Sequence, residues 1–244
     1  MKTRYFVFRR SSGIFFLEDR LLKKQNTLTG ADDYSGTTSV SNGELAVSTA
    51  FAGNGNFLIS NGATLGVTNL SSSSSLVSNL VASAGAALEF FNVSSTTTPL
   101  VMASNVAVNG NCAVKTTGTS GLAASNSYPL ISYSGTLSGF ANLQLQMPSG
   151  WRGTLVNGAS QIVLANVAAI ATNLPPLSVG ITNGLLQINW PSDHIGWRLQ
   201  AQTNSLNAGL GTNWTDLPPA TSTNQITISI GTTNGSVFFR LVYP

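Results

Sequence analysis

Catalysis in this chain would have to start from very few reactive side chains, the first of which is its single histidine. His194 follows Asp193 directly in the segment "SDHIG". A Ser-His-Asp hydrolase needs an acid that orients the histidine and a nucleophile that contacts it in space. We expect neighbours in a turn not to face each other in that way, and the sequence has no G-x-S-x-G motif. We therefore interpret His194 as a turn or packing residue.

The single cysteine, Cys112, cannot form an internal disulfide. A cysteine nucleophile would need a histidine beside it, and Cys112 lies in an apolar strand-like segment, "GNCAV". Free cysteines in such settings usually behave as small buried apolar residues. We interpret Cys112 as a buried structural thiol.

Acidic residues are also scarce, since Glu44 and Glu89 are the only ones between Tyr34 and Pro176. Enzymes that cleave polysaccharides need paired carboxylates, or acidic calcium ligands together with a basic residue. Glu44 follows a turn glycine and Glu89 lies between apolar residues, so both are predicted at solvent-facing strand positions. Calcium-binding nonapeptides, phosphate-binding loops, C-x-x-C and H-E-x-x-H are absent from the sequence. The sequence therefore predicts no catalytic, cofactor-binding or metal-binding residue. It also predicts that the protein is not an enzyme.

Aromatic side chains raise a different possibility, because tryptophan rings stack on sugars. The chain has four tryptophans: Trp151, Trp190, Trp197 and Trp214. Large aromatic residues are mostly buried, and Trp190 and Trp197 lie in strand-like segments, so we interpret these two as core residues. Carbohydrate binding, or a degenerate polysaccharide-acting protein, remains the alternative function.

Charge is low and unevenly distributed. Only 8% of the 244 residues are charged, and seven of the eleven Lys and Arg residues lie in Met1–Lys24. From Tyr34 onward, four basic residues balance four acidic ones, so this part is neutral. A neutral body cannot neutralise many phosphates, which excludes nucleic acid as a partner.

The first 26 residues differ from the rest of the chain. Arg9 and Arg10 interrupt the apolar run that a signal peptide would need, and no run of about 18 apolar residues predicts a transmembrane helix. We expect residues 1–26 to be a poorly ordered segment outside the fold, of foreign or truncated origin. The alternative is a short amphipathic cap over the first open sheet edge.

A glycine-anchored pattern recurs through the first half of the chain. "SNGELAV", "SNGATLGV", "SAGAALEF" and "VNGNCAV" place Gly43, Gly62, Gly85 and Gly110 at separations of 19, 23 and 25 residues. Glycine permits the positive φ of a tight turn, and apolar residues two apart point to one face of a strand. Units that are too small to form their own cores can share one by stacking. This favours a solenoid over a sandwich of short strands.

The segment Leu28–Val47 resembles the autotransporter-associated β-strand repeat. It matches that pattern at Thr27, Leu28, Gly30, Tyr34, Ser35, Gly36, Thr38, Val40, Gly43, Leu45 and Val47, with Asp32 where Asn is usual. The later segment from "YPLISYSGTLSGF" to "QIVLAN" resembles the closing segment after such repeats, so that the likeness covers Thr27–Asn166. The resemblance implies a right-handed parallel β-helix, carried on exported bacterial proteins and without enzymatic activity.

A proline pair, Pro175 and Pro176, predicts a domain boundary. Six strand-like segments follow it, "LSVGIT", "LLQINW", "GWRLQAQT", "TNWTDL", "QITISI" and "SVFFRLVY", with a hairpin turn at residues 182–184. They predict a small antiparallel β-sandwich whose core is formed by Trp190, Trp197, Trp214, Phe238 and Tyr243. This part resembles C-terminal β-domains of large secreted proteins from Verrucomicrobia-like and Planctomycete-like bacteria.

Together these observations predict an all-β protein with a β-helix over residues 27–174 and a β-sandwich over 175–244. The expected function is that of an exported or cell-surface structural protein, acting as a stalk, in surface display or in adhesion. Its expected partners are a surface or matrix polysaccharide or protein.

Overall fold

The computed structural model describes residues 14–17, 25–28, 35–70, 72–205, 207–218, 222–229 and 236–243. Within these residues, regular structure consists of β-strands and two short 3-10 turns, Phe140–Asn142 and Ser192–His194. The predicted all-β class is therefore confirmed. The chain divides into two compact units: the first holds the residues up to Pro148 and Gly153–Val167, and the second holds Ser149–Arg152 and the residues from Ala168 onward. The predicted boundary at Pro175 lies inside the second unit.

The first unit is built on two large sheets. One sheet has the order β1 (Ile14–Leu17), β3 (Thr37–Val40), β5 (Gly55–Ile59), β7 (Ser75–Ser83), β9 (Val101–Asn109), β11 (Tyr128–Tyr133), β15 (Gln161–Ala169) and β14 (Trp151–Gly158), with β12 (Leu137–Ser138) also paired to β9. The other has the order β13 (Leu143–Gln146), β10 (Cys112–Thr117), β8 (Ala87–Phe91), β6 (Ala63–Thr68), β4 (Gly43–Ser48) and β2 (Gln25–Leu28).

Successive strands from β1 to β10 alternate between the two sheets, and their neighbours within each sheet are parallel. Glycine turns carry the chain from the first sheet to the second. Gly43, Gly62, Gly85 and Gly110 all have positive φ, between 74° and 106°. The turns predicted at these four glycines are confirmed, and they lead into β4, β6, β8 and β10 of the second sheet.

The interior of this unit is a stack of aliphatic side chains. In the second sheet Leu45 pairs with Leu65, Leu65 with Leu88, and Leu88 with Val114. Each of the four is at most 4% exposed, so the burial expected for the three leucines is confirmed. Full burial of such a side chain contributes about 1.5–3 kcal/mol to folding.

The end of the first large sheet departs from the all-parallel arrangement expected as far as residue 174. β15 pairs antiparallel with β11, and only two residues separate β14 from β15. A two-residue link can join antiparallel neighbours but cannot make the long crossover that parallel strands require. The sheet therefore ends in a hairpin.

The second unit contains two three-stranded antiparallel sheets. The first has the order β16 (Ser178–Thr182), β17 (Leu185–Asn189) and β20 (Gln225–Ser229), and the second has the order β19 (Thr215–Asp216), β18 (Arg198–Asn204) and β21 (Ser236–Val242). All six predicted strands are present. Asn183 and Gly184, at the predicted hairpin turn, both have positive φ, of 52° and 74°, as a type I′ turn requires.

The core of the second unit differs in part from the prediction. Trp190 is buried in a cluster with Ile188, Leu199 and Ile226, and Trp197 is buried as well. The other three predicted core residues do not belong to this cluster: Trp214 and Phe238 are half-buried and Tyr243 is 37% exposed. Since side chains alternate along a strand, Phe239 and Leu241 pack against the cluster, and Phe238 lies on the opposite face of β21.

The N-terminal segment predicted to lie outside the fold contributes some backbone to it. Ile14–Leu17 pairs with β3, and Gln25–Leu28 pairs with β4. The other residues of 1–26 lie outside the described residues, as do residues 29–34 of the repeat segment Leu28–Val47. Among the described residues, no helix has the length and apolar character needed to cross a lipid bilayer.

Candidate functional site

His194 lies at the end of a 3-10 turn and is 1% exposed. Its Nδ1 is 2.7 Å from Oδ1 of Asp193, and its Nε2 is 2.8 Å from the backbone oxygen of Asn173. The expectation that Asp193 and His194 do not face each other is wrong, because the tight turn folds the carboxylate back onto the ring. Both ring nitrogens contact an oxygen, so neither is directed at a nucleophile, and the histidine ties the turn to residue 173.

Cys112 is buried beneath the second large sheet, at 1% exposure. Burial raises the pKa of its thiol from 9.0 to about 11, against a smaller opposing effect of a backbone hydrogen bond from Leu88. The thiolate is the nucleophilic form of cysteine, and it is scarce at neutral pH when the pKa is this high. The structure thus agrees with the interpretation of Cys112 as a structural thiol.

Glu44 and Glu89 lie on the face of the second sheet that is opposite the leucine stack, and both are half-buried. Oε1 of Glu89 accepts a hydrogen bond of 2.6 Å from Oγ1 of Thr117. Oε1 of Glu44 lies over Gly66, 2.8 Å from the position that a Cβ would occupy there. Each carboxylate is thus positioned by its own sheet neighbours. In the described residues no cluster of three His, Cys, Asp or Glu side chains could hold a metal ion.

An aromatic and polar cluster covers the outer face of the sheet formed by β19, β18 and β21. We call it the Arg240 cluster; it consists of Arg198, Gln200, Trp214, Asp216 and Arg240. Register places Gln200 opposite Asp216 on one side and opposite Arg240 on the other. Since side chains alternate along β18, Gln200 lies on the face opposite Leu199, which enters the core, and Gln200 is itself buried. Three strands therefore bring these side chains together.

The glutamine at the centre of the Arg240 cluster connects an acid to an arginine. Nε2 of Gln200 donates to Oδ1 of Asp216 at 2.8 Å, and Oε1 of Gln200 accepts from Nε of Arg240 at 2.8 Å. A terminal guanidinium nitrogen of Arg198 donates to Oδ2 of Asp216 at 3.0 Å. These hydrogen bonds, that of Gln200 foremost, lower the pKa of the Asp216 carboxyl.

The same cluster holds a cation against an aromatic ring. The guanidinium carbon of Arg240 lies 4.2 Å from the centre of the Trp214 ring, a favourable cation–π distance. Two arginines and one aspartate give the cluster a formal charge of +1. An oriented, exposed guanidinium in such a setting can bind an anionic or polyhydroxylated group. The sequence signal was the alternation of Arg198 with Gln200 and of Trp214 with Asp216, but the prediction used Trp214 for the core.

The first unit contains an asparagine ladder that was not predicted from the sequence. Nδ2 of Asn79 donates to Oδ1 of Asn56, and Nδ2 of Asn105 donates to Oδ1 of Asn79, at 2.7 and 3.0 Å. Thr37 accepts from Asn56 at one end, and Thr136 donates to Asn105 at the other. The signal was a second set of aligned segments: "SGTTSV", "NGNFLI", "VSNLVA", "ASNVAV" and "SGTLSG".

Each amide in this ladder can donate to one neighbour and accept from the next, which is how stacked Asn side chains reinforce adjacent strands. The ladder runs across β3, β5, β7 and β9 and ends just before β12. Its three asparagines are half-buried, and their hydrogen bonds connect neighbouring strands in a fixed register.

No protein-family model, curated protein or solved structure matches this chain.

Proposed function

We propose that this chain is a non-enzymatic structural protein, exported or displayed on a bacterial surface, whose first unit is a right-handed parallel β-helix. The observation that carries the proposal is the alternation of consecutive strands between two parallel sheets. Crossover connections between parallel strands of one sheet are almost always right-handed. Strands that alternate between two parallel sheets are the arrangement expected in a β-helix. The resemblance of Leu28–Val47 to autotransporter-associated repeats supports the same assignment.

Two kinds of stacked side chain suit a mechanical role. The aliphatic stack through Leu45, Leu65 and Leu88 fills the interior, and the asparagine ladder joins neighbouring strands at the margin. A solenoid stabilised by contacts between neighbouring units can be lengthened without a new core. The neutral body, hydrated by hydroxyl and amide groups, suits contact with polar matrices.

Surface location is tested by treating intact source cells with a protease and following the chain with an antibody. We expect the chain to be lost from intact cells while a cytoplasmic marker survives. Protection of the chain until the cells are lysed would contradict display. A separate assay for release of reducing sugars from polysaccharides, with no activity expected, tests the non-enzymatic part of the proposal.

A second candidate function is carbohydrate binding by the Arg240 cluster. The supporting observation is that Trp214, unlike buried Trp190 and Trp197, lies half-buried on an outer face with Arg240 held over its ring. The positive formal charge favours a carboxylated polysaccharide over a neutral one.

This second function is tested by following tryptophan fluorescence during titration with polygalacturonate and, as the neutral comparison, dextran. We expect a saturable change with polygalacturonate that Trp214→Phe abolishes and Arg240→Gln weakens. Equal responses of the wild type and both variants would show that the cluster is not a saccharide site.

A further inference from the structure

The strand β16 forms an edge of its sheet and is unusually exposed. It pairs with β17 on one side, and no strand of the described residues pairs with its other side. All five of its residues are exposed. They include Val179 at 64% and Ile181 at 68% exposure, and Leu177, directly before the strand, is 44% exposed.

These exposed side chains belong to the core face of the sheet. Val179 lies opposite Ile188, and Ile181 lies opposite Leu186. Ile188 is buried in the core cluster and Leu186 packs against it. Since directly opposed residues point to the same side of a sheet, Val179 and Ile181 point in the core direction. The core-facing side of this sheet therefore extends beyond the packed cluster as far as β16. There Leu177, Val179 and Ile181 form an exposed apolar stripe.

The three strands of this sheet lack the features that discourage edge-to-edge pairing, and the proline pair Pro175 and Pro176 lies just before the apolar stripe. Natural proteins protect exposed edges with charged residues, prolines or bulges. β16, β17 and β20 contain neither a charged residue nor a proline, and no charged residue occurs between Arg152 and Asp193. Two copies of this edge can therefore approach without repulsion between like charges.

We infer that two copies of this chain associate through β16, which pairs antiparallel with β16 of the second copy. The two three-stranded sheets would then form one continuous six-stranded sheet. A two-fold axis through Val179 places that residue opposite its own counterpart and Leu177 opposite the partner's Ile181. This register matches all three apolar residues of the stripe with apolar partners, as a closed two-fold interface requires.

A second copy is the occupant that the observations favour. The stripe is symmetric about Val179, so the strand is complementary to itself when reversed. Its lack of charge gives no basis for selecting an acidic or a basic foreign strand. Main-chain hydrogen bonds would provide affinity, as in other cases of strand addition. The inference is independent of the function proposed above, because it rests only on the second unit.

Sedimentation equilibrium of the full chain tests this pairing. We expect a reversible increase toward twice the 25.4 kDa chain mass as concentration rises. Ile181→Lys should raise the dimer dissociation constant by about tenfold or more. Leu210→Lys is the matched control, since Leu210 is also 68% exposed but lies between β18 and β19 of the other sheet, and it should dimerise like the wild type. A wild type that stays monomeric, or a dimer that Ile181→Lys leaves intact, would overturn the inference.

Disulfide trapping tests the register. Under mild oxidation, Val179→Cys should yield a covalent dimer, because directly opposed residues of an antiparallel pair lie within disulfide range. Gly180→Cys should yield much less, since position 180 would face position 178 of the partner. A Cβ at Gly180 meets no atom within 4 Å, so this variant should fold. Preferential crosslinking through position 180 would refute the axis through Val179.

Discussion

Asn79 donates a hydrogen bond of 2.7 Å to Asn56, although the two residues are 23 positions apart in the sequence. Asn79 also accepts a hydrogen bond of 3.0 Å from Asn105. It therefore occupies the middle of a ladder in which every amide is both donor and acceptor. One side chain thus couples three strands, β5, β7 and β9, of the same sheet.

Substitution of Asn79 by alanine should destabilise the first unit by about 1–3 kcal/mol, because it leaves half-buried amide groups of Asn56 and Asn105 without this partner. Urea unfolding followed by circular dichroism measures the change. Gln144→Ala is the control, since Gln144 is an exposed amide on β13, and it should change stability by less than about 0.5 kcal/mol. Equal effects of the two substitutions would show that the hydrogen bonds of the ladder do not increase the free energy of unfolding.

Gly55 should not tolerate alanine. A Cβ at this position would overlap the backbone oxygen of Gly36, and the backbone of neighbouring strands would have to move apart. Overpacking of this kind typically costs about 1–3 kcal/mol. Gly180→Ala is the matched control, because its Cβ would meet open space. The difference in thermal midpoint between the two variants measures the cost, and an unchanged midpoint for Gly55→Ala would contradict the close approach.

The thiol of Cys112 should react slowly with Ellman's reagent in the folded protein. With its pKa at about 11, the thiolate fraction at pH 8 is on the order of 0.001, and the group is buried as well. Because the pKa is raised on folding, this group favours the folded state fully below about pH 9 and loses that contribution as pH rises through 11. The same protein in urea should react rapidly; equal rates in both states would contradict burial of the thiol.

His194→Ala should destabilise the second unit by about 1–3 kcal/mol, since it removes a buried ring that contacts the backbone oxygen of Asn173. Asp193→Asn replaces the carboxylate by an amide that can either accept from or donate to Nδ1 at the exposed end of the contact, and it should cost less than about 1 kcal/mol. Denaturant unfolding monitored by tryptophan fluorescence compares them. The reverse order of stabilities would show that the carboxylate, rather than the backbone contact, holds the turn.

Local sequence signals predicted a large part of this fold. The positive φ of Gly43, Gly62, Gly85 and Gly110 follows from the short-range chemistry of glycine. The burial of Leu45, Leu65 and Leu88 follows from the period of two along a strand. The hairpin at Asn183 and Gly184 follows from the turn type that a two-residue link demands. Each of these features depends on residues within a few positions of one another.

The incorrect or missed features depend on register between distant strands. Phe238 and Phe239 are adjacent and equally apolar, and only the pairing of β21 with β18 decides which of them faces the core. The antiparallel hairpin of β14 and β15 was not predicted, because apolar and polar residues alternate in its two segments much as they do in the preceding strands. Strand pairing brings Asn56, Asn79 and Asn105 side by side. In the sequence, each of them is an ordinary polar residue within a strand.

The sequence by itself determined that this chain forms short strands separated by glycine and asparagine turns, with one apolar face to each strand. Only the tertiary structure decided which strands become neighbours, which polar groups meet as in the Arg240 cluster, and which apolar stripe is left at the edge of β16. The physical reason is that turn chemistry and side-chain alternation are local properties of the backbone. Neighbouring strands, in contrast, are selected by the free energy of packing the whole unit.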